Sequence, residues 1–185
     1  LMISSLKEWL LPKKNAETLM SLYAKSGKNE LLQRLVELHS NDLYHFLLSQ
    51  SDIELAKDIS QKTWLKIIDK RELYQCRGSF KTWLFTVGRN TLLDEMRKLS
   101  RFKLLFDDQI EPELIQIVNL DNNSDIQIKF KLLLKNLPFA QREAFSLQQE
   151  GFSILQIAQI TQQKEQTIKT RLRYAKSYFK QHIGG

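Results

Sequence analysis

Apolar positions recur along this chain at intervals of three and four and almost nowhere at intervals of two. That period belongs to helices. It predicts helices over 16–25, 29–50, 53–70, 79–99, 127–136, 139–150, 153–161 and 164–181, and so an all-α fold. In "DIELAKDISQKTWLKIIDK" (52–70), Ile53, Ala56, Ile59, Thr63, Trp64, Ile67 and Ile68 share one broad face. Asp58, Gln61, Lys62 and Leu65 share the other, where a protein partner is plausible and not demanded. In "RGSFKTWLFTVGRN" (77–90), Phe80, Trp83, Leu84 and Val87 follow i, i+3, i+4, i+7 and read as core. Lys81, Thr82, Phe85, Thr86, Arg89 and Asn90 are left for the other faces. A basic helix with an exposed aromatic suits strand-separated DNA, whose bases stack or sit in pockets. Gly78 permits an unusual backbone in the loop before it, and Ser79 is positioned as an N-cap.

The most diagnostic pattern is "GFSILQIAQITQQKEQTIKTRLRYAKSYFK" (151–180). Ser153 followed by Gln156 predicts a capping box. Ile154, Ile157, Ala158 and Ile160 then make a buried stripe, ended by the polar break "TQQK". On the next helix Ile168, Leu172, Ala175 and Phe179 fall together, and Gln166, Lys169, Thr170, Arg173 and Ser177 fall opposite. A short helix, a tight turn and a helix with a basic outer face form the helix-turn-helix pattern. Lys169 and Arg173 can meet guanine acceptors or phosphates, Gln166 can read adenine, and Arg171 and Lys176 flank them. A plain hairpin with a solvated charged face is the competing reading.

Charge sharpens the division of the chain. Net charge is +7 overall. Residues 77–103 hold seven Lys/Arg against two Asp/Glu, and residues 129–185 hold ten against three. Between them, residues 104–128 hold six acids and no base. This acidic stretch, with Pro112 and an Asn-Asn-Ser cluster, reads as a linker, giving domains over 1–103 and 127–185 and a linker over 104–126. The excess of base favours a polyanionic partner. A single cysteine, Cys76, fits a reducing cytosol. No apolar run approaches the roughly 18 residues of a membrane span, and the start "LMISSLKEWLLPKK" is too short and interrupted for a signal peptide.

"DISQKTWLKI" followed by "RGSFKTWLFTVGRNTLLDEMRK" resembles region 2 of the extracytoplasmic-function (group 4) sigma factors of bacterial RNA polymerase. "LPFAQREAFSLQQEGFSILQIAQITQQKEQTIKTRLRYAK" resembles their region 4, in the same order. The resemblance implies a non-enzymatic, cytoplasmic initiation factor without a cofactor or bound metal. Its partners would be core RNA polymerase, through the β′ clamp helices and the β flap, and promoter DNA. An anti-sigma factor holds many members inactive. Asp58, Gln61, Lys62 and Leu65 would face the polymerase. Arg77, Gly78, Ser79, Lys81, Arg89, Asn90 and Arg97 would meet the −10 element. Gln166, Lys169, Thr170, Arg171, Arg173 and Tyr174 would meet the −35 element.

Two departures accompany the resemblance. Lys62 stands where the family usually has Glu, which reverses a charge. Thr161-Gln162-Gln163 stand where it usually has Leu-Gly-Ile, at a cost of about 1 kcal/mol if position 162 needs positive φ.

The alternative is a stand-alone helix-turn-helix regulator whose N-terminal domain dimerises or senses a ligand. It predicts a homodimer that binds duplex DNA without polymerase. An enzyme is a weaker reading, because His39, His45 and His182 have no metal-ligand spacing with Cys76 or one another and no phosphate-binding loop is present.

Overall fold

The computed structural model describes residues 15–75, 78–106 and 123–183. These form α1 (Ala16–Ser26), α2 (Asn29–Gln50), α3 (Ile53–Asp69), a 3-10 turn (Arg71–Leu73), α4 (Phe80–Phe106), α5 (Asn123–Asn136), α6 (Phe139–Gln149), α7 (Ile154–Thr161) and α8 (Glu165–Ile183). No strand occurs among the described residues. The helical periods therefore translate into helices almost where the sequence places them. Two ends differ. α4 continues to Phe106 because "RKLSRFKLLF" contains no glycine or proline to stop it. α5 starts at Asn123, ahead of its apolar stripe, in a polar stretch rich in residues that favour helix starts. Both helices thus reach into the segment read as linker, of which 107–122 lies outside the described residues.

α1 to α4 pack as one bundle around Phe46, Ile59, Ile67, Phe80 and Leu84, all fully buried. Burying each such side chain contributes roughly 1.5–3 kcal/mol. Asn15 caps α1 by accepting from the Thr18 amide at 2.9 Å, and Asp52 caps α3 by accepting from the Leu55 amide at 2.8 Å. Ser79 accepts from the Thr82 amide at 3.3 Å, as its position predicts. A second cap was not legible locally: Glu17 on α1 accepts from the Phe80 amide at 3.1 Å and ties the two ends of the bundle together.

α5 to α8 form the second bundle. Phe179 of α8 packs between Phe130 (5.1 Å, stacked) and Phe145 (4.7 Å). α6 ends with Gly151 at φ 86°, and the Phe152 amide reaches back to the Leu147 carbonyl at 3.2 Å. That left-handed turn is glycine's, and it aims the next side chain, Phe152, at α4.

The two bundles pack against each other. α6 lies on α2, and α7 lies on α4. The Phe85 ring meets Phe152 edge-on at 4.8 Å and is fully buried. This corrects the expectation that Phe85 is an exposed aromatic: the face is amphipathic as read, but the second bundle covers it. Among the described side chains of α4 the half-exposed aromatic is instead Trp83, which the sequence reads as core and which lies against Tyr74 at 5.2 Å.

Candidate nucleic-acid and polymerase interfaces

Three surfaces carry the residues picked out by sequence. The first is the helix-turn-helix. Ser153 and Gln156 form the expected capping box, with Gln156 Oε1 accepting from the Ser153 amide at 2.9 Å and Ser153 Oγ from the Gln156 amide at 3.3 Å. α7 ends at Gln162, which adopts φ 55°, ψ 43°, the only non-glycine positive φ among the described residues. The Gln163 amide then closes on the Ala158 carbonyl at 3.0 Å. Thr161 fills its buried position by donating its hydroxyl to the Ile157 carbonyl at 2.7 Å. The turn therefore keeps the required backbone without the glycine.

Ile168, Leu172, Ala175 and Phe179 of α8 are buried, as their shared stripe predicts. Gln166, Lys169, Arg173 and Tyr174 are exposed, and Thr170 and Arg171 are half-buried. The Arg173 guanidinium lies 5.4 Å from the Tyr174 ring centroid. Gln166, Thr170, Arg171 and Tyr174 share a shallow depression with Pro138 and Gln141 at the start of α6. The α8 face is open, basic and amide-bearing.

The second surface is the outer face of α3. Asp58, Gln61 and Leu65 are exposed, Leu65 at 52%. Lys62 bonds Asp58 at 2.7 Å and Glu95 of α4 at 3.4 Å. Those two carboxylates offset the charge that Lys62 brings, and the hydrogen bond to Asp58 raises the Lys62 pKa. Leu65, Lys62 and Arg97 line one groove between α3 and α4. Arg97 is exposed and paired with Asp94 at 3.1 Å.

The third is the start of α4. Arg77 lies outside the described residues. Gly78 is exposed at φ 115°, and Ser79 and Asn90 are half-buried. Lys81 and Arg89 are not free. Lys81 Nζ bonds Asp42 of α2 at 2.7 Å and donates to the Glu150 carbonyl at 2.8 Å. Arg89 Nε donates to Glu143 Oε1 at 2.6 Å and its Nη2 to Oε2 at 3.2 Å, a two-pronged pair across the two bundles. Sequence reasoning missed Glu143, whose side chain is 1% exposed. Its signal was faint: it is one of three acids in the basic block 129–185, and it stands on a helix with no acid beside it.

Comparisons with known proteins decide what this arrangement is. Residues 35–102 match the family Sigma-70 region 2, and residues 127–177 match the family Sigma-70, region 4. The ECF RNA polymerase sigma factor SigM of Bacillus subtilis is 32% identical over 119 residues, 63% of this chain and 72% of that one. The chain belongs to the extracytoplasmic-function sigma factors. The ECF RNA polymerase sigma factor SigC of Mycobacterium tuberculosis is 26% identical over 165 residues, 87% of this sigma factor and 88% of that one. The sigma factor RpoE of Bartonella quintana, in a co-crystal structure with the anti-sigma factor NepR, matches with TM-score 0.71 and 28% identity. That match covers 82% of this sigma factor and 96% of the other chain. CnrH, in complex with the cytosolic domain of CnrY, shares the fold with TM-score 0.66 at 18% identity, over 92% and 98% of the two chains. This sigma factor thus directs transcription initiation. Its described helices include none long and apolar enough to cross a membrane, and its described residues include no cluster of three metal-ligating side chains.

Proposed function

We propose that this sigma factor docks on core RNA polymerase through Asp58, Gln61, Lys62 and Leu65 of α3. It meets the −35 element through Gln166, Lys169, Thr170, Arg171, Arg173 and Tyr174 of α8. Arg77, Gly78, Ser79, Lys81, Arg89, Asn90 and Arg97 meet the strand-separated −10 element. The domains divide at 103 and 127, so that the acidic segment between them joins two DNA-binding units. The protein works in the cytoplasm and catalyses no reaction of its own. An anti-sigma factor is a further partner, a reading that rests on the RpoE–NepR likeness.

The observation that carries this reading is the α8 face. A helix whose buried stripe is complete presents Gln166, Lys169, Arg173 and Tyr174 outward together, above a capped and closed turn. Such a helix can lie in a major groove, with amide and guanidinium groups reaching base edges and phosphates. The stand-alone regulator has no observation of its own to favour it.

Run-off transcription with core polymerase over a promoter library tests the assignment. The sigma factor is expected to confer start-site selection on a subset of promoters, and to bind them only in the presence of core enzyme. Tight sequence-specific duplex binding by a homodimer without polymerase would overturn it.

A further inference from the structure

The groove between α3 and α4 has a volume of about 480 Å³, the size of a small-ligand site. Lys62 meets Glu95 and Lys66 meets Thr91, so the two helices run in opposite directions along it. Five cations line it against three acids. Most of these charges are already matched. Glu95 takes Lys62 at 3.4 Å and Lys98 at 3.5 Å, and Asp94 takes Arg97 through Nη1 at 3.1 Å. The third acid, Asp69, is exposed at the last residue of α3 and forms no ion pair with a described residue.

Two cations are left over. Lys66 is half-buried, and its ammonium reaches Thr91 Oγ1 at 3.0 Å. That oxygen is neutral, Thr91 is 4% exposed, and its own proton goes to the Val87 carbonyl at 2.8 Å. Arg101 donates through Nε to the Arg97 carbonyl at 3.3 Å. Neither cation meets a carboxylate among the described residues. A partly desolvated ammonium beside a neutral oxygen has lost water without gaining a counter-charge, and an anion restores the balance. Arg97 gives Asp94 only Nη1, so one edge of its guanidinium can still grip a second oxyanion. Thr91 and Arg101 stand ten residues apart on α4, which sets the two ends of this cationic line about 15 Å apart. A single phosphate cannot bridge that span. A run of linked phosphates can.

We propose that this groove is a binding site for linked phosphates, held by Lys66 at one end, Arg97 between and Arg101 at the other. α3 then serves two ligands. Asp58, Gln61, Lys62 and Leu65 face polymerase, and Lys66 faces phosphate. Two sources carry this chemistry: the backbone of a promoter strand that runs on from Arg97, or a free nucleoside triphosphate. Lys62 and Leu65 also line the groove, so a free nucleotide there competes with polymerase, whereas a promoter strand enters with polymerase already bound. The strand source rests on the proposed −10 role of Arg97; the attraction of the groove for phosphate does not.

Two measurements distinguish the sources. In the first, calorimetric titration of the full chain without polymerase uses inorganic tripolyphosphate and GTP as probes. In the second, holoenzyme affinity for a forked fragment of a promoter recovered by run-off transcription is measured at several salt concentrations. Both use Lys66→Ala, Arg101→Ala, their combination, Lys66→Arg, which keeps the charge, and Thr91→Val, which removes the hydroxyl and leaves the ammonium. With a strand in the groove, each alanine is expected to weaken holoenzyme binding about threefold to tenfold and to reduce the salt slope by about 0.7–1. Lys66→Arg and Thr91→Val then keep the slope. With a free nucleotide in the groove, GTP binds saturably, the alanine pair weakens it about tenfold or more, and GTP raises the apparent Kd for core polymerase. An unchanged salt slope in the alanine pair, together with no saturable binding of tripolyphosphate or GTP, overturns the site. So does Thr91→Val matching Lys66→Ala in both measurements, because Lys66 is then a packing group. Lys169→Ala on α8 is the reference. A slope that responds to it and not to the alanine pair, with neither probe bound, sinks the groove and leaves the sigma-factor reading standing.

Discussion

Gln162 holds a conformation that an L-residue adopts only at a cost of roughly 1–2 kcal/mol. The turn keeps it because both flanking helices over-determine it: the Gln163 amide is fixed on Ala158, and Ile168 and Ile160 are fully buried. Gln162→Gly is therefore expected to raise stability by about 1 kcal/mol, read as an upward shift of the thermal midpoint, with promoter choice unchanged. A lower midpoint would mean that the glutamine side chain contributes something the turn geometry does not account for. The Arg89–Glu143 pair obeys different arithmetic. Removing one half of a buried ion pair costs about 3–5 kcal/mol when the other half stays buried. Here Arg89 can return to water by parting the bundles, so the loss drives opening and leaves each bundle folded.

At the scale of elements, the meeting of α2, α4 and the end of α6 gathers Asp42, Lys81 and Glu150. Burial, and then the Asp42 carboxylate, push the Glu150 carboxyl up from 4.5 to about 6, against the pull of Lys81. The closed form thus binds this proton more tightly than the open form. Closure is favoured in full below about 4.5, and that contribution is lost as pH rises through about 6. Burial and Lys81 hold nearby His39 below its ordinary 6.5, while Asp42 and Glu17 oppose them. His39 therefore acts within the first bundle and with opposite sign, since its charging at acid pH weakens that bundle. Energy transfer between dyes on the two bundles should fall as pH rises from 5 to 7, and Glu150→Gln should flatten that change. α8 supplies the other element-level expectation. Lys169→Ala should weaken promoter binding by the holoenzyme at every sequence and reduce the salt slope by about one, measured by titration at several salt concentrations. An unchanged slope would remove Lys169 from the phosphate contacts.

These elements also mark how far the sequence alone could be read. The helices, the capping box and the α8 core stripe were legible because each is written in residues three or four apart, whereas the positive φ at position 162 entered only as a condition, through the family resemblance. The seam was not legible. A stripe of Lys81, Phe85 and Arg89 has the same spacing whether it faces nucleic acid or another part of the chain. Only partners distant in sequence decide between them: Asp42 and Glu150 for Lys81, and Glu143, 54 residues on, for Arg89. Periodicity reports that a face must be met and is silent on what meets it.

For the whole molecule, the surfaces are unequal. The α3 face is open in the closed arrangement, so polymerase binding should not require prior opening. Leu65, at 52% exposure, gives a clean probe. Leu65→Asp is expected to lower affinity for core enzyme about tenfold or more while the melting transition moves little, because exposed positions away from the core tolerate change. Core binding measured by fluorescence anisotropy checks it, and unaltered affinity would remove α3's outer face from the docking surface. The basic blocks act together at this scale too. A net charge of +7 is spread so that 77–103 and 129–185 are each strongly cationic, and across the seam between them the Glu143 carboxylate meets Arg89 with the opposite charge.

The order in which the ribosome makes these parts has its own consequence. Arg89 leaves the tunnel 54 residues ahead of Glu143. At roughly 5–20 residues per second, the groove between α2 and α4 stands uncovered for several seconds in every nascent chain. During that interval Phe85 is bare and Arg89 has no carboxylate to hold, so each newborn molecule passes through its most adhesive form before it can shut.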